Sequence, residues 1–354
     1  MTFDAQIQSI TQDEIVPKVT DNILQGNVLT LLFLANGRPW MGESLKFPVK
    51  LSSHTQGGSF SDFDEFDTAN ENVRQTASFD ARAYYQSVVL GGIARSVNEI
   101  SKTAVLNLVK VEMESIQQDM VDDIGSLFYG DGTGNSNKDF LGVDAAIDDG
   151  NTVDSYGGLA ATTYTSWKSA IQTSVGAWDF TKARTLWNSA TVGNQKPNIA
   201  TCPEATFAFV EADYTATVDG NYSVMEGARA KLTSKGVMPA MREGLIGQAG
   251  FDALYFAGTP IVKDDKADAG SVFAINTNFM RWYGVKAADA NAVDLKSLYH
   301  DGNDMDSVPS SMGFAWTGFV RPSKQYAFIG QFLLIGNLVS PARRLHSSSK
   351  GITS

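Results

Sequence analysis

The amino-acid sequence predicts an α+β fold in which a long helix lies between strand-rich regions. An alternating apolar pattern within Glu43–Val89 is typical of half-buried strands, and a helical pattern follows over Ser96–Phe128. Short apolar strands separated by turns return after Leu254. With 354 residues, of which 43% are hydrophobic, the chain can bury a sizeable core. Its length suggests about two structural units.

The first 42 residues are predicted to form an arm. Thr2–Asn36 shows only weak helical periodicity, so it is expected to pack on another surface and not to build its own core. The longest apolar runs, Val28–Ala35 and Phe328–Ile335, are too short to span a bilayer. Met1–Thr11 carries no secretory signal. We therefore expect a protein that is made and used in a cytoplasm or in something assembled there.

Two alternating runs predict a long two-stranded hairpin within residues 43–92. The apolar members of the first run are Leu45, Phe47 and Val49. The second run extends from Phe79 to Tyr85. Pro48 lacks a backbone donor, which predicts an edge strand. Since an isolated hairpin is marginally stable in water, this one is expected to need a partner surface.

The segment Ser52–Thr76, which joins the two runs, is expected to form a flexible acidic tip. Its aromatic residues are Phe60, Phe63 and Phe66, and its acidic string is Asp62, Asp64, Glu65 and Asp67. Solvation explains the carboxylates but not the aromatics. Two interpretations stay open: the tip docks onto a neighbouring subunit with charge setting the register, or the aromatics form a local cluster. The first makes these seven residues, with Leu45, Phe47 and Val49, inter-subunit contacts.

A long helix is predicted from Ser96, an N-cap that Glu99 completes as a capping box, to about Phe128. At about 1.5 Å per residue it would be a rod of roughly 50 Å. Further helices are predicted at Asp179–Ala190 and Pro203–Tyr214. Strands are predicted at Asn198–Thr201, Leu254–Phe256, Pro260–Val262, Val272–Ile275, Met312–Val320 and Tyr326–Leu338, with a polar tail after Pro341.

The sequence predicts no catalytic residues, no cofactor and no metal. The histidines, His54, His300 and His346, lie at no metal-ligand spacing and are expected at the surface. Cys202 is expected to be a small buried side chain. Gly130–Asn135 lacks the Lys-Ser/Thr ending of a P-loop and is predicted to be a turn that ends the long helix. A serine hydrolase is not predicted, because no G-x-S-x-G stretch occurs.

Two acidic clusters are the remaining candidates for a metal site. The first consists of Asp301, Asn303, Asp304 and Asp306, and the second of Asp264, Asp265 and Asp268. The first lacks the glycine and glutamate of an EF-hand loop. The second is interleaved with Lys263 and Lys266, as on a solvated turn. The formal net charge of -11 disfavours tight DNA binding, and the densest basic spot is Arg343-Arg344 with Lys350 beyond.

The order of these elements resembles the major capsid proteins of tailed bacteriophages with the Hong Kong 97 fold. The stretches that carry the resemblance are Glu43–Phe128 with Tyr129-Gly130-Asp131-Gly132 and Phe140-Leu141-Gly142-Val143, Phe256–Asp265 with Val272–Thr277, and Gly336–Pro341. By element order the resemblance covers nearly the whole chain. It implies a structural subunit, not an enzyme, that forms pentamers and hexamers of an icosahedral phage head enclosing double-stranded DNA.

The resemblance also implies a division of the chain and a set of partners. The segments are an N-terminal arm (1–42), an extended loop (43–92), a peripheral domain with a spine helix (93–194), an axial domain (195–300) and a return to the peripheral domain (301–354). The expected partners are further copies, a scaffolding protein and a portal, with decoration proteins left open and no membrane. Because the hairpin begins near Glu43, we expect a separate scaffolding protein or an already mature chain. Lys46 and Lys50 lie where some members crosslink, but nothing marks either as reactive.

Three alternatives stay open at this point. An encapsulin-type nanocompartment shell protein shares the fold and would co-purify with a cargo enzyme in place of DNA. A metal-dependent or polysaccharide-active hydrolase would depend on Asp301 and Asp304, and an activity lost on their mutation would favour it. A surface-displayed adhesive protein is disfavoured by the missing export signal.

Overall fold

The computed structural model describes residues 27–93, 108–218, 253–285, 291–292 and 314–353. Its helices are α1 (Val28–Ala35), α2 (Leu108–Tyr129), α3 (Val143–Ala146), α4 (Phe180–Ala190) and α5 (Glu204–Val218), with short turns at Gly134–Asn137, Thr165–Trp167 and Arg343–Leu345. Its strands are β1 (Arg38–Pro39), β2 (Ser44–Lys50), β3 (Arg74–Asp80), β4 (Arg82–Gly91), β5 (Ser155–Tyr156), β6 (Leu159–Ala160), β7 (Ala170–Gln172), β8 (Gly176–Ala177), β9 (Ile199–Cys202), β10 (Ala253–Phe256), β11 (Thr259–Lys263), β12 (Val272–Ile275), β13 (Arg281–Gly284), β14 (Asn291–Ala292), β15 (Phe314–Trp316), β16 (Ala327–Val339), β17 (Ser347–Ser349) and β18 (Ile352–Thr353). The predicted α+β class is confirmed.

The predicted elements of the middle and the end of the chain are largely present. The predicted helices at 179–190 and 203–214 correspond to α4 and α5. The strands predicted between 198 and 275 correspond to β9, β10, β11 and β12, and those predicted later contain β15 and β16. Each helix within the described ranges is too short or too polar to span a bilayer.

One six-stranded sheet is organised around the long strand β16. Strand β4 runs antiparallel along one side of it, from Arg82 opposite Gly336 to Gly91 opposite Ala327. Strands β13 and β15 both pair with β16, at successive positions along it. The short strand β1 pairs with β13, and β14 pairs with β15. The sheet therefore joins the segment after the hairpin to the last third of the chain.

Helix α2 covers one face of this sheet. Its buried positions recur mainly at four-residue steps and are Met120, Val121, Ile124 and Phe128. The ring of Phe128 lies 6.0 Å from that of Phe33 in α1 and 5.2 Å from that of Trp282 in β13. The predicted end of the long helix near Phe128 is confirmed to within one residue. The predicted N-cap Ser96 and its partner Glu99 lie outside the described residues.

A second six-stranded sheet has the order β10-β11-β9-β12-β17-β7 and mixes parallel with antiparallel pairs. Its strands β9, β12 and β17 are buried along their whole length. Helix α4 packs on β7 and β17, and the Asp179 carboxylate caps it by accepting a hydrogen bond from the Lys182 backbone N–H at 2.8 Å. This sheet takes strands from the predicted segments 93–194, 195–300 and 301–354, so it crosses both boundaries between them.

Helix α1 differs from the arm predicted for residues 1–42. Its side chains are buried in the core of the same chain, against α2 and β13. The physical reason is this run of eight residues, apolar except for Thr30, which is stable only when covered on all sides. Residues 1–26 lie outside the described part of the chain.

The predicted hairpin is present, but its second strand comes earlier in the sequence than expected. Strand β2 pairs with β3, whereas β4 pairs with β16. The phase of burial changes at Ala81, because Phe79 points into the core in β3 while Val88 and Leu90 do so in β4. A shift of one residue exchanges the two faces of a strand. The prediction of one continuous strand through Tyr85 is therefore wrong.

The polar tail predicted after Pro341 is instead part of the core. Ser347, Ser348 and Ser349 are fully buried as β17, between β12 and β7. The Ser347 hydroxyl donates to the Leu186 carbonyl at 2.8 Å. Pairing on both edges satisfies the backbone of this strand, which allows a polar sequence to be buried. Composition alone wrongly indicated exposure.

Candidate functional site

The hairpin base carries the first group of predicted inter-subunit contacts, Leu45, Phe47 and Val49. These side chains are half-buried against the core of their own chain. The Phe47 ring lies 6.1 Å from the Phe79 ring and 5.9 Å from the Tyr283 ring. Within the described residues β2 has β3 as its partner, so Pro48 lies on an edge strand as predicted. Intrachain packing accounts for this burial, and contact with another subunit stays a prediction.

The tip of the hairpin holds the second group of predicted contacts. The side chain of Phe63 is 98% exposed, and those of Phe60 and Phe66 are 69% and 68% exposed. The Phe60 and Phe66 rings form an edge-to-face pair with centroids 5.1 Å apart. A local cluster therefore accounts for part of two aromatic surfaces. It leaves Phe63, and the outer faces of the pair, in water.

The acidic residues of the tip combine backbone contacts with open negative charge. The backbone N–H of Ser61 donates to the Asp64 carboxylate at 2.6 Å, and that of Ala69 donates to Asp67 at 3.0 Å. Asp62 and Glu65 are exposed. Residues 51–73 contain no lysine or arginine. The tip therefore presents aromatic side chains on a uniformly acidic segment.

The sheet face opposite α2 is a further apolar surface that the sequence did not predict. Outward-pointing Tyr85 and Val89 of β4 are 64% and 58% exposed, while Val88 and Leu90 point into the core. Their register partners in β16 are Leu333 and Ile329, and Ile329 also pairs with Val320. We define the open sheet face as Tyr85, Ser87, Val89, Val320, Ile329, Gln331 and Leu333, in which Ser87 and Gln331 form a polar pair between apolar ones. A solvated face of an antiparallel sheet is usually polar, so this one indicates a covering partner.

A cavity of about 620 Å³ lies where β3 passes into β4. Its wall includes Arg82, Lys138 and Asn337. The guanidinium of Arg82 donates to the backbone carbonyls of Gly132 and Asp139. These contacts engage the Arg82 guanidinium within the fold. We describe the cavity as the cleft between the hairpin and the sheet.

His346 and Ser340 form a buried pair that superficially resembles a nucleophile with its base. His346 is fully buried, so the predicted surface position is wrong. Its Nδ1 accepts a hydrogen bond from the Asn276 backbone N–H at 3.1 Å, which leaves the proton on Nε2 to be donated to the Ser340 hydroxyl at 2.9 Å. Burial lowers the pKa of His346 to about 3. A neutral imidazole that donates to serine cannot remove its proton, so the pair is structural.

Arg343 was expected in the densest basic spot and is instead fully buried. Its guanidinium donates to the carbonyls of Ala146 and Asp148, both at 2.9 Å, and lies 5.0 Å from the Tyr156 ring centre. Lys350 pairs with the Asp144 carboxylate at 2.7 Å. Two of the three cations of the spot are thus engaged inside the fold, and they do not form a surface for phosphates.

The other sequence candidates are placed as follows. Cys202 is buried as predicted, and burial raises the pKa of its thiol to about 12. His54 lies at the surface beside Glu71, and Gly130–Asn135 forms the predicted turn after α2. In the described ranges, no three histidine, cysteine or acidic side chains come together as metal ligands. His300 and the cluster Asp301, Asn303, Asp304 and Asp306 lie outside those ranges.

Asp264 was predicted on a solvated turn and is instead buried, with 1% of its surface exposed. Its carboxylate accepts a hydrogen bond from the Leu29 backbone N–H in the first turn of α1 at 2.9 Å. It also accepts one from the Lys266 backbone N–H at 3.0 Å. Burial raises the pKa of Asp264 to about 6 despite these bonds. The flanking charges suggested exposure because the partner helix lies 235 residues away.

The stability of the unassembled subunit is expected to depend on Asp264 between pH 4 and pH 7. Because its folded pKa lies above its ordinary value, Asp264 contributes stability that is fully present below about pH 4 and is lost as the pH rises through 6. The loss is on the order of 2–3 kcal/mol. Urea unfolding of wild type and Asp264→Asn at pH 4, 5, 6 and 7 should show this component in wild type alone. Asp62→Asn is the exposed control, and a difference between wild type and Asp264→Asn that stays constant with pH contradicts the assignment.

Comparison with known proteins adds fold relatives but no sequence relatives. No family model matches the chain, and no curated protein matches it. A chain of the cyanophage A-1(L) capsid asymmetric unit superposes with a TM-score of 0.73 at 15% identity, covering 100% of both chains. The holo-SrpI encapsulin complex from Synechococcus elongatus PCC 7942 gives 0.57 at 10% identity, covering 99% of this chain and 96% of the other.

A further phage capsid also superposes on nearly the whole chain at low sequence identity. The capsid of Myoviridae phage XM1 superposes with a TM-score of 0.52 at 13% identity, covering 96% of each chain. Identities this low carry the fold and not the activity. The chain has the Hong Kong 97-type capsid fold that its sequence resembles.

Proposed function

We propose that this chain is the major capsid protein of a tailed bacteriophage, a structural subunit of an icosahedral head. The observation that carries the proposal is the superposition of the whole chain on a cyanophage capsid chain. The exposed aromatic tip and the open sheet face support it, since both are unfavourable on a free monomer. Tip and face are different patches, and contacts between different patches of identical subunits build rings where the rotation closes.

The proposal includes the partners of the subunit. Copies of the chain form pentamers and hexamers, a scaffolding protein and a portal take part in assembly, and decoration proteins are an open option. The net charge of -11 disfavours a tight grip on phosphates, so the shell encloses double-stranded DNA without binding it strongly. Assembly takes place in the host cytoplasm, and the mature chain belongs to the virion.

The proposed role is structural and not enzymatic. Support comes from the donor geometry of His346 toward Ser340, which is unsuited to activating a nucleophile. The predicted division into arm, extended loop, peripheral domain and axial domain remains part of the proposal. Helix α1 then belongs with the core, and the second sheet links the peripheral and axial parts.

Expression of the chain, alone and with its scaffolding protein, is expected to produce closed particles of uniform diameter. Five-fold vertices and six-fold faces should be visible in electron micrographs, because one subunit has to occupy both environments of an icosahedral shell. Cryo-electron microscopy of the purified particles is the measurement. Monomers that persist under every condition contradict the proposal.

The encapsulin-type shell is the second candidate, because an encapsulin superposes on the chain with a TM-score above 0.5. The contents of the particles distinguish the two. Packaged DNA in particles from infected cells supports the phage head, whereas a co-purifying cargo enzyme supports the nanocompartment.

A further inference from the structure

We propose that Lys350 and Asp144 become joined by an intrachain amide bond that forms without a separate enzyme. The bond links the side-chain Nζ of Lys350 to the Cγ atom of Asp144, and Asp268 moves the protons. It lies within one chain and involves neither Lys46 nor Lys50. Because it belongs to the folded subunit, the bond is independent of the proposed shell function.

The two reacting groups already touch in the folded subunit. The Nζ atom of Lys350 lies 2.7 Å from one carboxylate oxygen of Asp144 and 2.8 Å from the other. An atom that contacts both oxygens also lies close to the carbon between them. Holding an amine and a carboxyl group in this way replaces a very high concentration of free reactants. Proximity therefore favours a condensation that is unfavourable between free lysine and aspartate in water.

Backbone contacts fix both partners in this arrangement. The Lys350 backbone N–H donates to the Gln172 carbonyl at 2.8 Å, and the Lys350 carbonyl accepts from the Val175 N–H at 3.2 Å. Asp144 lies in the first turn of α3, a helix whose carbonyls the buried Arg343 guanidinium holds. Both side chains thus start from ordered backbone, and little conformational freedom is lost before they react.

A third carboxyl group completes the arrangement. Asp268 forms a side-chain hydrogen bond with Asp144. The Ile352 backbone N–H donates to the Gly270 carbonyl at 2.9 Å, which holds the turn of Asp268 beside the segment of Lys350. Two carboxyl groups share a hydrogen bond only where one of them carries a proton. An acid group is therefore present next to the lysine.

Burial supports the reactive protonation state. It raises the pKa of Asp144 to about 6, although the contact with Lys350 acts in the opposite direction. The acid form of Asp144 is thus accessible near neutral pH. Asp268 is exposed, so it can exchange protons with the solvent, and the released water can leave past it.

The step is a condensation in which nothing is oxidised or reduced. A proton passes from the Lys350 ammonium to the Asp144 carboxylate, which gives a neutral amine and a neutral acid. The amine nitrogen attacks Cγ of Asp144 and forms the new C–N bond. Asp268 accepts a proton from that nitrogen and gives one to the departing hydroxyl, so that one C–O bond breaks and one water molecule leaves. Asp268 ends in its starting state.

The surroundings favour the amide over the ion pair. Both side chains are largely buried, and the Phe273 ring centre lies 5.7 Å from the Lys350 Nζ. Two charges in such a place carry a desolvation cost, whereas an amide is neutral. The product ties α3 covalently to the residue that follows β17, and so links two parts of the core that are 206 residues apart in the sequence.

The mass of the wild-type subunit tests the bond without any variant. Denatured protein should be lighter than its sequence mass by one water molecule and should run as a monomer on a denaturing gel. Trypsin should release a branched peptide that joins residues 139–168 to residues 345–354, because an acylated Lys350 is not cleaved. Loss of water at an Asp-Gly pair, such as Asp131-Gly132, gives no branch and is thereby distinguished.

Substitutions test the role of each side chain. Lys350→Arg keeps the positive charge but forms no amide, and Asp144→Ala removes the carboxyl group, so both should keep their full sequence mass. Asp268→Asn preserves the size of the side chain but cannot relay the proton. It should lower the linked fraction, measured at equal times after induction, at least about tenfold. Lys266→Arg changes the other ion pair, 2.6 Å to Asp122, and is the control that should leave the linked fraction unchanged.

A wild-type subunit of full sequence mass, in which trypsin cleaves normally after Lys350, overturns the proposed bond, and the ion pair is then the final state. A branch from residues 345–354 to any other peptide, or a covalent dimer, also overturns it. Linked wild type together with unlinked Lys350→Arg supports it, even where Asp144→Ala fails to fold. The shell function is decided separately, by whether particles form.

Discussion

A variant that lacks residues 57–72 is expected to fold as a normal subunit and to form no closed shells. The deletion removes all three tip phenylalanines and the acidic string, and nearly all of these residues are exposed. The paired strands β2 and β3 keep every register partner, and Gln56 then connects to Val73, which already accepts hydrogen bonds from Leu51 and Ser52. Sedimentation velocity should show a shift from particles to small species, with particle yield reduced at least about tenfold.

A control is needed to show that side chains, and not loop length, cause this loss. A full-length variant with Phe60→Ser, Phe63→Ser and Phe66→Ser should assemble almost as poorly as the deletion. Both should unfold in urea at the midpoint of wild-type subunits, because the core is untouched. Shells of normal size and yield from either variant rule out a role of the tip in assembly.

Replacing Arg343 with methionine is expected to destabilise the subunit by about 3 kcal/mol or more. The change removes the guanidinium donors to the carbonyls of Ala145, Ala146 and Asp148, of which the last two keep a hydrogen bond from Ser169. A hydrogen bond from a charged donor contributes roughly 1.5–3 kcal/mol, and three such bonds are lost. Methionine fills a similar volume, so the loss reports on the hydrogen bonds and not on a cavity.

Arg344→Met is the matched control, because Arg344 is the exposed neighbour on the same short turn. It should change the free energy of unfolding by less than about 0.5 kcal/mol. Urea unfolding of the unassembled subunits gives both values. Equal effects of the two substitutions would show that the buried guanidinium contributes nothing specific.

The sequence correctly predicted those helices and strands whose bounds are set by residues close together in the chain. The alternation of Leu45, Phe47 and Val49 predicted β2, and the apolar spacing that ends at Phe128 predicted the end of α2. The helix predicted at Asp179–Ala190 corresponds to α4, and its N-cap Asp179 acts within three residues of itself. The order of these elements then carried the resemblance to the Hong Kong 97 fold.

The errors share a different physical origin, which is contact between residues far apart in the sequence. Asp264 and Arg343 carry charges beside polar neighbours, and nothing nearby shows that α1 and α3 will meet them. His346 is neutral because burial lowers its pKa, and the Asn276 backbone N–H, 70 residues away, occupies one of its ring nitrogens. A single sequence contains no signal for such pairs.

One feature of the sequence indicates the open sheet face, beyond the strand that it predicts at Tyr326–Leu338. The run Phe328–Ile335 is almost uniformly apolar and does not alternate as a strand with one wet face should. A strand with this composition is expected to be covered on both sides, and within the chain α2 covers one of them. The partner itself is not encoded in any local pattern.

The junction at Ala81 has a mechanical consequence. Strand β3 passes directly into β4, so tension applied to the hairpin by a neighbouring subunit pulls β4 along its own length. A pull parallel to β4 loads the ten registered pairs between β4 and β16 in shear. Shear across a full ladder resists force better than peeling from one end. In the proposed phage head, the pressure of packed DNA would load the β4–β16 ladder of each subunit in shear, the direction in which it resists force best.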